Sequence, residues 1–132
     1  MLHGNGGNLE CFRSQIEYFS KKYRVIALDT RGHGKSPRGD KPFTIKQFAD
    51  DLKDFLDELG IKRAILLGFS DGGNIALTFA LKYGEYVEKL ILNGANLFPK
   101  GLKAYCRIPI EVNCKLTKLL KNALSKILRS IE

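Results

Sequence analysis

The chain has 132 residues, 44% of them hydrophobic and 27% charged, with a formal net charge of +8. That is one domain of globular composition with a core of its own, and no apolar stretch is long enough to span a membrane. The positive excess sits at the C-terminal end, where eight lysines and arginines from Lys100 to Arg129 face only Glu111 and Glu132, so the body of the fold implies no nucleic-acid partner.

Met1-Leu2-His3-Gly4-Asn5-Gly6-Gly7 has neither the basic region nor the apolar core of a secretory signal. Cys11, Cys106 and Cys114 are odd in number and lack metal-ligand spacing. They read as reduced thiols of small core residues in a cytoplasmic protein that holds no metal. After the glycine-rich loop, Phe12, Ile16 and Phe19 recur at helical spacing and predict an amphipathic helix from Leu9 to about Lys21. Tyr23–Asp29 reads as a buried strand, and Thr30–Pro42 as a long polar loop. Thr44 to Gln47 has the form of a capping box opening a second helix. That helix has Phe48, Leu52, Phe55, Leu56 and Leu59 on one face and Gly60 as its stop.

The apolar run Ala64–Gly68 predicts the next strand, followed at once by Gly68-Phe69-Ser70-Asp71-Gly72 and a helical pattern to about Tyr83. Strand, tight turn and helix in that order give Gly-x-Ser-x-Gly the context of a nucleophile elbow. Ser70 would stand at the tip in a strained conformation, with glycines at 68 and 72 because strand and helix approach closely there. Val87–Asn93 is a further strand. Strands alternating with crossover helices define an α/β fold with a parallel sheet, whose reacting groups lie beyond the carboxyl ends of the strands. Asp29, Ser70 and Asn93 all stand at such ends.

Two glycine patterns are decoys. Gly34-Lys35-Ser36 lacks the glycine a phosphate loop needs five positions earlier, where Asp29 stands. Gly4-Asn5-Gly6-Gly7 has Leu9 where a dinucleotide-binding turn has its third glycine.

Leu2-His3-Gly4 before a glycine-rich loop, Asp29-Thr30-Arg31-Gly32-His33-Gly34 after a strand, and Gly68-Phe69-Ser70-Asp71-Gly72-Gly73 at the turn together resemble the α/β-hydrolase family. The likeness runs from about Leu2 to Asn96 and implies a three-layer αβα fold. It implies Ser70 as nucleophile, with the backbone N–H of Asp71 and of Asn5 as the oxyanion hole and Gly6 as the alternative to Asn5. Such donors are typically worth a few kcal/mol each. His3, Gly4, Asp29, Arg31, Gly32, His33 and Gly34 are implied to be structural, as are Gly68, Gly72 and Gly73. The implied substrate is a small molecule with an ester, thioester or similar acyl group, attacked without metal or cofactor. Acyl transfer and carbon–carbon hydrolysis remain alternatives. Dehalogenases and epoxide hydrolases of the family are less favoured, because they use Asp where Ser70 stands.

The family's order is Ser, then Asp or Glu, then His, and no histidine follows Ser70 in this sequence. The expectation is a family piece, residues 1–97, shortened at both ends and lacking its catalytic acid and base. Activity would then need a complementing chain, and open strand edges would favour self-association. A non-catalytic fragment or interaction module is the reading from another class. Residues 98–132 form a basic amphipathic tail, with Leu116, Leu119, Leu120, Ala123, Leu124, Ile127, Leu128 and Ile131 at helical spacing. It reads as a helix packed on the body or as the start of a cap over the site; contact with an anionic membrane is the least favoured reading.

Overall fold

Residues 1–96, which the computed structural model of the chain describes, alternate helices with parallel extended segments. The tail 98–132, with its three readings, lies outside the described residues.

Asn8 Oδ1 accepts the Glu10 N–H at 3.0 Å and opens a single 3-10 turn, Leu9–Phe12, which leads into α1, Arg13–Phe19. The sequence pattern predicts one helix here, but the structure divides it. Leu9 N–H is anchored from outside, donating to the Asp29 carboxylate at 2.7 Å. Phe12 is buried, whereas Cys11 is exposed and is not the core residue its type suggested.

Of Tyr23–Asp29, expected as a buried strand, only Leu28 pairs as a strand residue, with Leu2, and none of the segment is fully buried. Its neighbour is the short segment Met1–His3. The Met1 amino group donates to Ile26 O at 2.7 Å, and Leu28 N–H donates to Met1 O at 3.2 Å. On the other side, Leu2 N–H donates to Leu67 O at 2.8 Å and Leu2 O accepts from Phe69 N–H at 3.0 Å. Leu2 therefore stitches two segments together with very little chain.

Helix α2 spans Ile45–Glu58, and Thr44 Oγ1 caps it by accepting Gln47 N–H at 3.2 Å. The capping box is only half made: Gln47 Nε2 turns to Asp51 Oδ1 at 3.1 Å instead. Strand β1, Ala64–Phe69, is followed by α3, Asp71–Lys82, and by β2, Val87–Asn93. The two strands pair in parallel, Ile65 with Lys89 through Phe69 with Asn93. A parallel pair needs a crossover, and α3 supplies it.

The core forms where α2 and α3 meet β1, from Leu2, Phe48, Ala49, Leu52, Leu56, Leu66, Ile75, Ala76 and Phe79. Two tyrosines and a lysine fasten the helical layer: Asp50 accepts from Lys82 Nζ at 2.6 Å and Tyr83 OH at 2.9 Å, and Asp57 accepts from Tyr86 OH at 2.5 Å. The alternation of β1 puts Leu66 inward, while Ile65 and Phe69 on its other face are 37% and 45% exposed. No helix of the described residues is long and apolar enough to cross a membrane.

Phe79 is fully buried at the centre of this layer. Phe79→Ala should lower unfolding stability by about 3–5 kcal/mol, read from urea denaturation followed by circular dichroism.

Candidate active site

Ser70 occupies the single residue between β1 and α3, with φ 53° and ψ −119°. It is the only non-glycine residue with positive φ among those described. Such a conformation costs on the order of 1–3 kcal/mol and persists only where its surroundings enforce it. The enforcing contacts are visible. Ser70 N–H donates to Asn93 O at 2.7 Å, and Ser70 O accepts from Gly73 N–H at 2.9 Å and Asn74 N–H at 3.1 Å.

Glycine at the flanking positions is a steric necessity. A Cβ at Gly68 would lie 2.6 Å from Gly73 Cα, and one at Gly72 would lie 2.6 Å from His3 O, on top of a collision with Leu2 O. Gly73 is closed off by Ala95, whose Cβ would be 2.8 Å from an added one. Helix α3 thus begins pressed against both its own strand and the Leu2–His3 segment. The N–H of Asp71 belongs to the first turn, where no preceding carbonyl can accept it.

The same closeness brings the glycine-rich loop to Ser70. A Cβ at Gly4 would lie 3.1 Å from Ser70 Cβ. Gly4 is buried, while Asn5 and Gly6 are exposed on the turn closed by Gly7 N–H donating to Gly4 O at 3.1 Å. Ser70, Gly4 and the start of α3 therefore share one locality at the carboxyl end of β1.

His3 and His33 lie beside this locality without bonding to Ser70. His3 is 1% exposed, with Nδ1 2.7 Å from Gly4 O and Nε2 3.1 Å from Thr30 N. His33 Nδ1 lies 3.1 Å from both Thr30 Oγ1 and Arg31 O, and its ring stacks on Phe43. Asp29 ties loops together: Oδ1 accepts from Leu9 N–H and Oδ2 from Lys35 N–H at 2.9 Å, while its carbonyl accepts from Ser36 Oγ at 2.7 Å. The N–H of Lys35, aided by that of Leu9, holds the Asp29 carboxyl below the usual carboxylate range. Gly34, at φ 51°, leaves room for this carboxylate; a Cβ there would be 2.5 Å from Asp29 Oδ1. Arg31 makes a two-pronged pair with Asp51, at 2.7 and 2.5 Å, and fixes the loop to α2. Gly32 lies under Phe43 in the same loop.

Two residues with a part in the arrangement escape the sequence reading. Thr30 stands between the two histidines, and Asn74 joins Asp71 to the loop after β2 by accepting Asn96 N–H at 2.7 Å and donating to Asp71 Oδ1 at 3.3 Å. The available signal for Asn74 is a polar side chain in the first turn of an otherwise apolar helix. A cavity of about 530 Å³ opens elsewhere, between Ala27–Pro37 and α2, and Ser70 does not line it. Among the described residues no cluster of His, Cys, Asp or Glu side chains could hold a metal ion.

The model of the α/β-hydrolase fold matches residues 1–107, and the chain belongs to that family. It is 38% identical over 94 residues to epoxide hydrolase 4 of Mus musculus, covering 70% of this chain and 26% of the relative. It is 41% identical over 91 residues to the serine hydrolase BPHL of Homo sapiens, covering 66% of this chain and 31% of the relative. Among solved structures, Est816, described as an N-acyl homoserine lactone degrading enzyme, superposes with a TM-score of 0.72 at 30% identity. That match covers 78% of this chain and 40% of the other. The chain thus spans about a quarter to a third of the length of the curated relatives it matches.

Gly72→Ala should cost about 1–3 kcal/mol of stability by overpacking against Leu2 and His3, measured by thermal unfolding. Asp29 gives a pH signature. Its lowered pKa means that its stabilising contribution is complete above about pH 4, the ordinary carboxylate range, and is lost as pH falls through the folded value. Asp29→Asn should therefore lower stability at neutral pH and flatten the acid limb of a stability–pH profile.

Proposed function

We propose that this chain carries the nucleophile and the oxyanion-binding part of a serine hydrolase acting on an ester, thioester or similar acyl group. Ser70 Oγ attacks the carbonyl carbon; the carbonyl oxygen takes up the negative charge and is held by the N–H groups of Asp71 and Asn5, with Gly6 as the alternative to Asn5. The proton of Ser70 passes to a histidine oriented by a carboxylate. Both come from outside the described residues, from a further segment of polypeptide or a complementing chain, since no histidine follows Ser70 and both nitrogens of His3 are engaged elsewhere.

The observation that carries this reading is the strained Ser70 backbone at the junction of β1 and α3, with Gly4 against it. Strain at a solvent-reachable serine between a strand and a helix start is what an exposed nucleophile requires. The similarity to relatives of both kinds, serine hydrolase and epoxide hydrolase, is weighed by the side chain at that tip. A serine supports acyl chemistry; an aspartate there would support epoxide opening. Acyl transfer and carbon–carbon bond hydrolysis use the same two elements and stay as variants of the proposal.

A fluorophosphonate probe should label Ser70 in the complete polypeptide, or in this chain complemented by the segment bearing the acid and histidine. Ser70→Ala should abolish labelling and lower hydrolysis of a p-nitrophenyl ester by roughly 10⁴–10⁶-fold. Labelling at another residue, or full activity in Ser70→Ala, overturns the assignment. Absence of labelling and turnover in the complemented protein favours the non-catalytic interaction module.

A further inference from the structure

His3 is fully buried, and its two ring nitrogens meet partners of opposite kind. Nδ1 lies 2.7 Å from Gly4 O, which can only accept, and Nε2 lies 3.1 Å from Thr30 N, whose N–H can only donate. One tautomer satisfies both: the proton on Nδ1 and the lone pair on Nε2. Thr30 Oγ1, 3.3 Å from Nε2, adds its own proton to that lone pair and accepts from His33 Nδ1 at 3.1 Å.

The acceptor at the other end of the ring is the informative one. Gly4 C=O and Asn5 N–H belong to the same peptide unit, and a planar trans peptide points the two in opposite directions. Gly4 O receives a second bond, from Gly7 N–H at 3.1 Å. With its oxygen held by two donors, the peptide plane is fixed, and so is the direction of Asn5 N–H. Among the described residues Asn5 N–H has no acceptor of its own, so nothing else orients it. Gly4 at the same time lies against Ser70.

We propose that His3 is a positioning residue, whose Nδ1–H delivered to Gly4 O sets the direction in which Asn5 N–H is presented beside Ser70. The proposal deepens the oxyanion reading above and rests on it for its catalytic consequence. The histidine touches no reacting atom. It acts through one carbonyl, and Thr30 acts through the histidine by fixing which nitrogen carries the proton.

Two isosteres separate the two bonds. Asparagine at position 3 puts an NH₂ group near the place of Nδ1 and keeps the bond to Gly4 O. Glutamine reaches the place of Nε2, keeps an acceptor for Thr30 N–H and leaves Gly4 O without its side-chain donor. The experiment uses the full 132-residue chain labelled with ¹⁵N. Long-range ¹H–¹⁵N correlations should show His3 as the neutral Nδ1–H tautomer. His3→Gln should move the Asn5 and Gly7 amide resonances and spare Thr30, and His3→Asn should do the reverse. A purely structural role would disturb all three alike in both variants. In the complemented protein His3→Gln should slow fluorophosphonate labelling of Ser70 about 10–100-fold, with His3→Asn largely restoring it.

An Nε2–H tautomer in the unmodified chain overturns the proposal, and this measurement stands even if neither variant folds. An unmoved Asn5 amide in His3→Gln also overturns it. Amides that respond as stated, with labelling rates unchanged, support the His3 clamp on Asn5 and overturn the oxyanion reading instead.

Discussion

Leu2 is held from both sides by backbone hydrogen bonds, and the geometry around Ser70 depends on that placement. Its N–H and carbonyl bond to Leu67 and Phe69 of β1, while Met1 bonds to Ile26 and Leu28. A parallel pair has slanted, evenly spaced bonds, so these few fix the axial position of the next residues closely. His3 and Gly4 follow at once and are delivered to the carboxyl end of β1. From there the packing is forced. The start of α3 lies so near Leu2 O and His3 O that position 72 admits no side chain, and Gly4 lies so near Ser70 that position 4 tolerates little more. A one-residue slip of Leu2 would move every one of these contacts.

The strain at Ser70 follows from the same crowding. A chain leaving β1 and entering α3 within one residue has to turn through a backbone conformation that side-chain-bearing residues avoid. It is held there by Asn93 O on its N–H and by two α3 amides on its carbonyl. The stabilising side of the balance lies in the core behind it, where Ile75, Ala76 and Phe79 of α3 bury against Leu66 and Leu52. The buried face of α3 and the strained residue at its head are one design: the helix is pulled down onto the sheet, and the turn is compressed as a result.

Much of this arrangement was legible in the sequence because it is local. Strand β2 occurs at its expected bounds, β1 runs one residue further than its apolar pattern, and α3 ends at Lys82 beside the expected Tyr83. Apolar periodicity and glycine punctuation act within a few residues, and those signals survive folding. What was not legible depends on contacts across the chain. Tyr23–Asp29 has strand composition, yet a ladder depends on a partner from elsewhere in the chain, and the segment makes one bridge, Leu28 with Leu2. Leu9 N–H, at the head of its 3-10 turn, finds Asp29, twenty residues on, and Gln47 prefers Asp51 to the cap it could have closed. The glycines at 68 and 72 could be read as a requirement for closeness, but what they approach, the backbone of residues 2, 3 and 73, appears only in three dimensions. Thr30 is not singled out by the motif it stands in; it matters because His3, from a distant stretch, and His33 of its own loop meet on it.

The division of labour in the site has a physical basis in range. An oxyanion hole made of backbone N–H groups needs a helix start and a tight loop, and both are made here by short segments whose contacts lie within residues 1–96. A general base needs a side chain delivered to Ser70 Oγ, and the two histidines of this chain are already spoken for. His3 has a donor and an acceptor at its two nitrogens, and His33 is packed between His3 and Phe43. Turning His3 toward Ser70 would leave Thr30 N–H without its partner and Gly4 O with Gly7 N–H alone, and turning His33 would release Arg31 O, a cost comparable to a lost hydrogen bond each. The histidines are therefore framework, and in the proposed reaction the electrostatic part would be organised independently of the proton-transfer part. Dipoles preorganised in that way need no rearrangement when charge develops, so their precision is set by what holds the peptide planes. For the Gly4–Asn5 plane, that is an imidazole locked in one tautomer.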